Sequence, residues 1–486
     1  MIGQQVNLRL SHLSFENLPQ MTYIWVAFKN SVTLQHLTTL EITRCAKLEV
    51  IFPPSVLRSL PELKFLTIIE CMELKQIIEE DEDDGKLSNL ISTQPCFPKL
   101  ESLYVEECHK LKCLSSSSNN LPDLRILTII GASELKEIIG CEQGASDNSS
   151  TFPNLGKKMS NLLSTQPCFP KLESLYIQDC HKLKCLSSSS NDLRNLRFLT
   201  INGASELEEI IICEQGASRN SLTFSNLGTL KLSGCAKLEV IFPKSVLGCL
   251  PELKSLIITE CTNLKQIVGC EQGASKYSFT FPSLERLEII GCAKLEVIFS
   301  WSVLRCLPEL NLLKIINCTE LRQIIEDDVE DKKLSNLLSR QPCFPKLEAM
   351  HVDHCQKLKR FFPGSTSNYL PNLHLLIING ASELEELVGC KQGKCDEIRN
   401  TEVELPRLKL LIFFHLSSFC QEIELPNLNN SIVYECPNFS FTSTITIGKL
   451  CQNFPHEGKY YVVFKYKLLL LLENRQILKL VLNFYK

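Results

Sequence analysis

Leu100-Glu101-Ser102-Leu103-Tyr104-Val105-Glu106-Glu107-Cys108-His109-Lys110-Leu111 decides how this chain is read. It has the form L-x-x-L-x-[LIV]-x-x-C-x-x-L, and the same form starts again at Leu37, Leu63, Leu172, Leu227, Leu253, Leu284, Leu310 and Leu347. Alanine takes the place of cysteine in the copies from Leu124, Leu196 and Leu373, each reading Gly-Ala-Ser-Glu-Leu. Weaker copies begin at Leu408 and Leu428, and a partial one surrounds Leu8, Leu10 and Leu13.

Alternation within the motif predicts a short strand, because residues two apart on a strand share a face. Leu103 and Val105 point into a core, the outer leucines close the same core, and cysteine ends the strand at a tight turn where a small thiol is buried near backbone groups. Self-similarity at this period is the signature of a leucine-rich repeat. The expected fold is an α/β repeat: a leucine-rich-repeat solenoid with a curved parallel sheet on the concave face and short helices, turns and loops on the convex face.

Two repeat types alternate. Type A mostly opens with phenylalanine-proline, as in Phe97-Pro98-Lys99-Leu100, and type B mostly with leucine-proline, as in Leu60-Pro61-Glu62-Leu63. The A-to-B step is always 24 or 26 residues, whereas the B-to-A step runs from 31 to 48, so length variation is confined to one connection. Lys-Leu-Glu-Val-Ile-Phe after several A strands, followed by the segments at Ser55, Ser245 and Ser302, predicts a short helical turn packed on the strand layer. The B-to-A connections carry acidic runs at 79–84 and 326–331 and Cys-Glu-Gln-Gly-Ala-Ser at Cys141, Cys213 and Cys270, which reads as solvated loop sequence. Residues 92–146 recur almost unchanged at 164–218, a duplication that a solenoid accepts because each repeat contacts mainly its neighbours. The resulting division is an atypical first repeat or N-terminal cap at 1–36, about 14 repeats over 37–440, and a non-repeat tail or cap at 441–486.

Composition narrows the function classes. A net charge of −4 gives no basic surplus for nucleic acid. The longest aliphatic run, Leu468–Leu472, is far short of the ~20 residues of a membrane span, and residues 1–6 lack the pattern of a secretory signal, so a cytoplasmic chain is expected. Twenty-four cysteines without a Cys-x-x-Cys pair read as a reduced ladder at Cys45, Cys71, Cys108, Cys180, Cys235, Cys261, Cys292, Cys318, Cys355 and Cys436. A zinc site needs clustered ligands, and these cysteines sit about one repeat apart. No metal, no cofactor and no catalytic centre is expected. Cys108-His109 and Cys180-His181 do not form a nucleophile-base pair, because each cysteine belongs to the ladder. Gly-x-Ser-x-Gly, His-Glu-x-x-His and Gly-x-Gly-x-x-Gly are missing, and Gly389–Cys395 departs from a phosphate loop in spacing and in lacking Ser/Thr.

Cys-Ala-Lys-Leu-Glu-Val-Ile-Phe-Pro at 235–243 and Leu-Pro-Glu-Leu-Lys-Ser-Leu at 250–256, together with the cysteine-ended strands, resemble the repeats of plant nucleotide-binding leucine-rich-repeat disease-resistance proteins of the coiled-coil class. The resemblance covers residues ~5–440 as judged by repeat count. It implies the sensor portion of an innate-immunity receptor in plant defense, binding a pathogen effector, a guarded host protein, or a nucleotide-binding domain in trans. The coiled coil and nucleotide-binding domain of that family are not in this sequence, so no ATPase activity is expected of it. A second reading is a stand-alone adaptor such as a ubiquitin-ligase substrate-recognition subunit, although residues 1–36 hold nothing like an F-box.

Residues two, four and six after the first leucine of each strand are expected to line the concave face. The protein-binding candidates are Phe65, Tyr104, Glu106, Ile126, Tyr176, Gln178, Phe198, Lys231, Arg286, Glu288, Lys314, His351 and Asp353. Type B strands add further apolar positions there, among them Leu312, Leu375 and Ile377. Repeated apolar groups on an exposed sheet point to a protein interface. The competing reading is that loops fold over these strands or that the groups pack with adjacent strands. The segment from about 455, with Tyr460-Tyr461-Val462-Val463-Phe464 and a leucine run, leaves the repeat pattern and reads either as a capping element or as a run-on.

Overall fold

The computed structural model describes residues 6–7, 9–25, 32–53, 56, 59–79, 97–112, 114–116, 121–140, 169–186, 193–210, 224–242, 250–269, 281–299, 307–325, 344–362, 370–388, 403–421, 423–428 and 430–439. The fold is a leucine-rich repeat, divided into two compact units: Met1–Leu253 with Gly269–Ala274, and Lys254–Val268 with Ser275–Lys486.

In the first unit eight five-residue strands lie parallel to their sheet neighbours: His12–Glu16, Thr39–Thr43, Phe65–Ile69, Ser102–Glu106, Ile126–Ile130, Ser174–Gln178, Phe198–Asn202 and Thr229–Ser233. The predicted atypical first repeat therefore supplies a strand in full register with the next, with Leu13 opposite Leu40 and Phe15 opposite Ile42. In the second unit seven strands do the same: Ser255–Thr259, Arg286–Ile290, Leu312–Ile316, Ala349–Asp353, Leu375–Asn379, Leu410–Phe414 and Asn430–Tyr434. Every motif places its strand over the five residues that begin two after its first leucine.

The inward pair is buried as the alternation requires: Leu103 and Val105, Leu175 and Ile177, Leu287 and Ile289, and Leu376 and Ile378 are all at most 2% exposed. Each such side chain contributes about 1.5–3 kcal/mol by leaving water. Buried phenylalanines add to the core, among them Phe97, Phe169, Phe281 and Phe344 from the Phe-Pro openings. Trp25 stacks on Phe52 at 5.7 Å between ring centroids, and Phe52 meets Phe97 edge-on at 4.7 Å.

Turn chemistry explains both ends of the strand. The amide of Leu100 donates to the Phe97 carbonyl at 3.1 Å, and that of Leu124 to Leu121 at 3.3 Å. The aromatic- or leucine-proline opening is thus a β-turn, which suits proline at its second position because the ring presets φ. At the other end Leu111 N donates to Cys108 O at 3.1 Å, closing a second turn. The residue before the cysteine or alanine is left-handed in repeat after repeat, with φ of 56° at Arg44, 51° at Glu107, 52° at Asp179 and 64° at Gly234. Glycine fills this position in all three alanine repeats, at Gly131, Gly203 and Gly380.

The back of the repeat differs from expectation in part. The Val-Ile-Phe segments form short strands, Val50–Phe52 parallel to Gln76–Ile78 and Val297–Phe299 parallel to Gln323–Ile325. The predicted helical turn at Ser55, Ser245 and Ser302 falls almost wholly outside the described residues, although Ser59 N donates to Val56 O at 2.8 Å. Most of the acidic runs, the Cys-Glu-Gln-Gly-Ala-Ser copies, Gly389–Cys395 and the tail beyond 440 also lie outside them. Among the described residues no helix is long and apolar enough to cross a membrane.

Candidate protein-binding face

The ladder thiols sit behind the sheet ends. Cys108 and Cys180 each donate to the carbonyl two residues back at 3.4 Å, and Cys355 does so at 3.5 Å. All ten ladder cysteines are free; nine are buried, and Cys436, in the last strand's repeat, is half-buried. Burial pushes the Cys180 thiol up to about 12 and raises Cys292 in the same way, so these sulfurs stay protonated and unreactive at neutral pH. Their role is packing, which leaves the opposite face of each strand as the surface that can meet a ligand.

In the first unit that face forms three rows across the strands. One row runs Phe65, Ser102, Ile126, Ser174, Phe198, Thr229, alternating a large apolar group with a small polar one. Its apolar members are 45%, 49% and 54% exposed, the exposed large apolar side chains of the described sheet strands. The middle row is Thr67, Tyr104, Thr128, Tyr176, Thr200 and Lys231, with Lys231 exposed and the tyrosines half-buried. Tyr104 donates its hydroxyl to Glu106 at 2.7 Å, and Tyr176 donates to Gln178 at 2.5 Å. The bond to Glu106 raises the pKa of Tyr104 above the ordinary phenol value. Phe65, Tyr104, Glu106, Ile126, Tyr176, Gln178, Phe198 and Lys231 therefore share one face of one unit. Thr67, Thr128 and Thr200 stand among them, missed in the sequence although they obey the same spacing.

The second unit presents a different face. Glu288, Lys314 and His351 are register neighbours in the middle row. Glu288 is only 6% exposed; it pairs with Arg286 on its own strand and lies 3.9 Å from the Lys314 ammonium. His351 is 7% exposed, with Nε2 4.0 Å from Asp353. Asp353 also accepts from Asn379 Nδ2 at 2.8 Å and lies 2.6 Å from His354 Nδ1. Burial lowers the His351 pKa to about 4, against the opposing pull of Asp353, so the ring is neutral at physiological pH. Sequence spacing placed Glu288 and His351 on the correct face but as exposed groups; both are covered. Leu312, Leu375 and Ile377, expected as an open apolar stripe, are also buried, at 8%, 1% and 3%.

The chain matches a family profile described as plant disease resistance protein RPS2-like, leucine-rich repeats, over residues 2–72, 211–280, 262–340 and 319–449. A probable disease resistance protein of Arabidopsis thaliana is 28% identical over 275 residues, 54% of this chain and 14% of the relative. A second from the same plant is 24% identical over 356 residues, 71% of this chain and 45% of the relative. The chain thus spans less than half the length of either. Among solved structures, the leucine-rich repeat domain of the type III effector XopL aligns over 71% of this chain and 77% of that domain, at 17% identity and a TM-score of 0.28.

Proposed function

The chain belongs to the RPS2-like leucine-rich-repeat family of plant disease-resistance proteins, and from that premise we propose that it is the recognition part of an intracellular immune receptor. In this reading residues 37–440 are the recognition repeats, with a cap repeat before them and a tail after them. The partner is a protein, either a pathogen effector or a guarded host protein, and the chain acts by binding in the cytoplasm rather than by catalysis.

The observation that supports the reading is the exposed row Phe65, Ile126 and Phe198 with Tyr104 and Tyr176 alongside. Large apolar groups repeated on a rigid sheet lose water on binding, and aromatic anchors of this kind carry most of the energy of protein interfaces. Side chains held by their own strand also lose little conformational freedom when a partner arrives. Glu106, Gln178 and Lys231 on the same face supply polar groups that fix orientation. Arg286, Glu288, Lys314, His351 and Asp353 form a second polar group on the other unit; because Glu288 and His351 are covered and Lys314 nearly so, Arg286 and Asp353 are the members of that group assigned to contact.

The test uses the whole chain as bait in extracts of healthy and infected leaf tissue, beside a Phe65→Asp/Phe198→Asp variant with unchanged circular dichroism and melting. A protein retained by the unmodified chain should be lost by the variant. Truncating anchors of this kind costs about 2 kcal/mol each, or roughly thirtyfold in affinity. Equal retention of the same partner by both chains would remove this face from the recognition surface.

A further inference from the structure

Between successive type B strands of the first unit the outward face holds a slot, and the slot occurs twice. In the first, Phe65 and Ile126 are the walls and Ser102, on the strand between them, is the floor. In the second, Ile126 and Phe198 are the walls and Ser174 is the floor. Tyr104 stands beside the first floor and Tyr176 beside the second, each two residues further along the same strand and so on the same face. The walls are exposed, while both serines and both tyrosines are half-buried. The second slot copies the first because it comes from the duplication of 92–146 at 164–218, which puts Ser174, Tyr176 and Phe198 in the places of Ser102, Tyr104 and Ile126.

The step from one slot to the next is two strand intervals, or ~9.6 Å. A ligand that fills both slots must present side chains on one side at that spacing. An extended strand returns to the same side every ~6.6 Å and next at about 13 Å, so it misses the second slot. An α-helix returns after about seven residues at about 10.5 Å, and its side chain roughly 5 Å along falls on Ile126, the shared wall. A polyproline II helix returns after about three residues at ~9.3 Å, close to the slot spacing and with nothing on that side in between.

We infer that the two slots hold an extended, proline-rich segment of the partner protein in the polyproline II conformation, with apolar side chains three residues apart seated over Ser102 and Ser174. The inference rests on the reading of this row as the recognition face and narrows the partner to a class of sequence. Such a segment is close to its bound shape before it docks, so little ordering entropy opposes binding. Its backbone carbonyls have no internal donors, and the hydroxyls of Ser102, Ser174, Thr128 and Thr200 lie along its path. Tyr104 and Tyr176 donate their hydroxyls to Glu106 and Gln178, so what they offer a ligand is ring surface, against which proline packs.

Fluorescence anisotropy with the full chain and a labelled peptide of four Pro-Pro-Leu triplets tests it. Saturable binding is expected. Three peptides of matched length should bind at least tenfold more weakly: one with leucine at every fourth position among prolines, a leucine heptad helix, and an alternating leucine-threonine strand. Ser174→Trp, which fills the second slot, should weaken the triplet peptide at least tenfold. Ile126→Ser, which removes the shared wall, should do the same, and because Ile126 is 49% exposed this variant leaves the core intact. No binding of the triplet peptide, equal binding of the fourth-position peptide, or tighter binding of the helix or strand peptide would overturn the inference. Unchanged binding by either folded variant would overturn it too, and if Ser174→Trp does not fold, Ile126→Ser decides. A leaf protein lost by the Phe65→Asp/Phe198→Asp chain, with no triplet peptide bound, would leave the receptor reading standing and sink this one. A triplet peptide bound in the slots, with no leaf protein retained, would do the reverse.

Discussion

His351 shows how one position on the sheet carries a pH response. The ring sits in the middle row between Lys314 and Ile377, nearly out of water, and burial lowers its pKa to about 4. An unfolded chain binds this proton from about pH 6.5 downward, while the folded chain resists it until about pH 4. The unfolded state therefore holds more protons in that window, and stability contributed by the neutral ring is lost as pH falls from about 6.5 toward 4. His351→Gln should remove that slope. The difference in unfolding free energy between unmodified chain and variant should change by on the order of 2–3 kcal/mol between pH 7 and pH 4 in urea titrations, and parallel curves would contradict the assignment. The sequence placed His351 on this face by spacing alone. Its burial was not legible there, because a strand's own pattern does not record what lies over it.

At the scale of the element, the turn that follows each strand has a fixed left-handed residue. Glu107, Asp179 and His354 adopt it with a side chain, whereas Gly131, Gly203, Gly234, Gly291 and Gly380 adopt it without one. A Cβ on Gly234 would meet nothing closer than 3.5 Å, so the cost of an alanine there is the left-handed backbone itself. Gly234→Ala should lower stability by about 1–2 kcal/mol, read as a reduced denaturant midpoint with unchanged m-value. An unchanged midpoint would mean that the turn relaxes to accept it. The strands, their facing and their register were legible from L-x-x-L-x-[LIV] because a period of two beside a buried core allows one orientation. The back strands such as Val297–Phe299 were not, since three aliphatic or aromatic residues fit a helical turn and a short strand equally well.

At the scale of the whole molecule, two buried thiols of the cysteine ladder, Cys180 and Cys292, set an alkaline limit. Burial holds Cys180 up to about 12 and raises Cys292, while a thiol in the unfolded chain ionises near 9. The folded chain thus keeps protons that the unfolded chain loses, and the stability this reflects is full below about 9 and declines as pH rises toward 12. Under reducing conditions the urea midpoint should fall between pH 8 and pH 10.5, and Cys180→Ala with Cys292→Ala should flatten that fall. At pH 8 the same variant should lose only about 1 kcal/mol per site, because alanine already serves at Ala132, Ala204 and Ala381 and the missing atom is comparable to one methylene.

Sequence alone determined the repeat, the strand positions, the buried ladder and the face on which the candidates lie, since each follows from a local pattern that only one arrangement of core and solvent satisfies. Tertiary structure alone decided which candidates are available. Phe65, Ile126 and Phe198 remain open, whereas Leu375, Ile377, Glu288 and His351 are covered. Exposure depends on everything that surrounds a strand, and a single strand's repeat pattern does not record it.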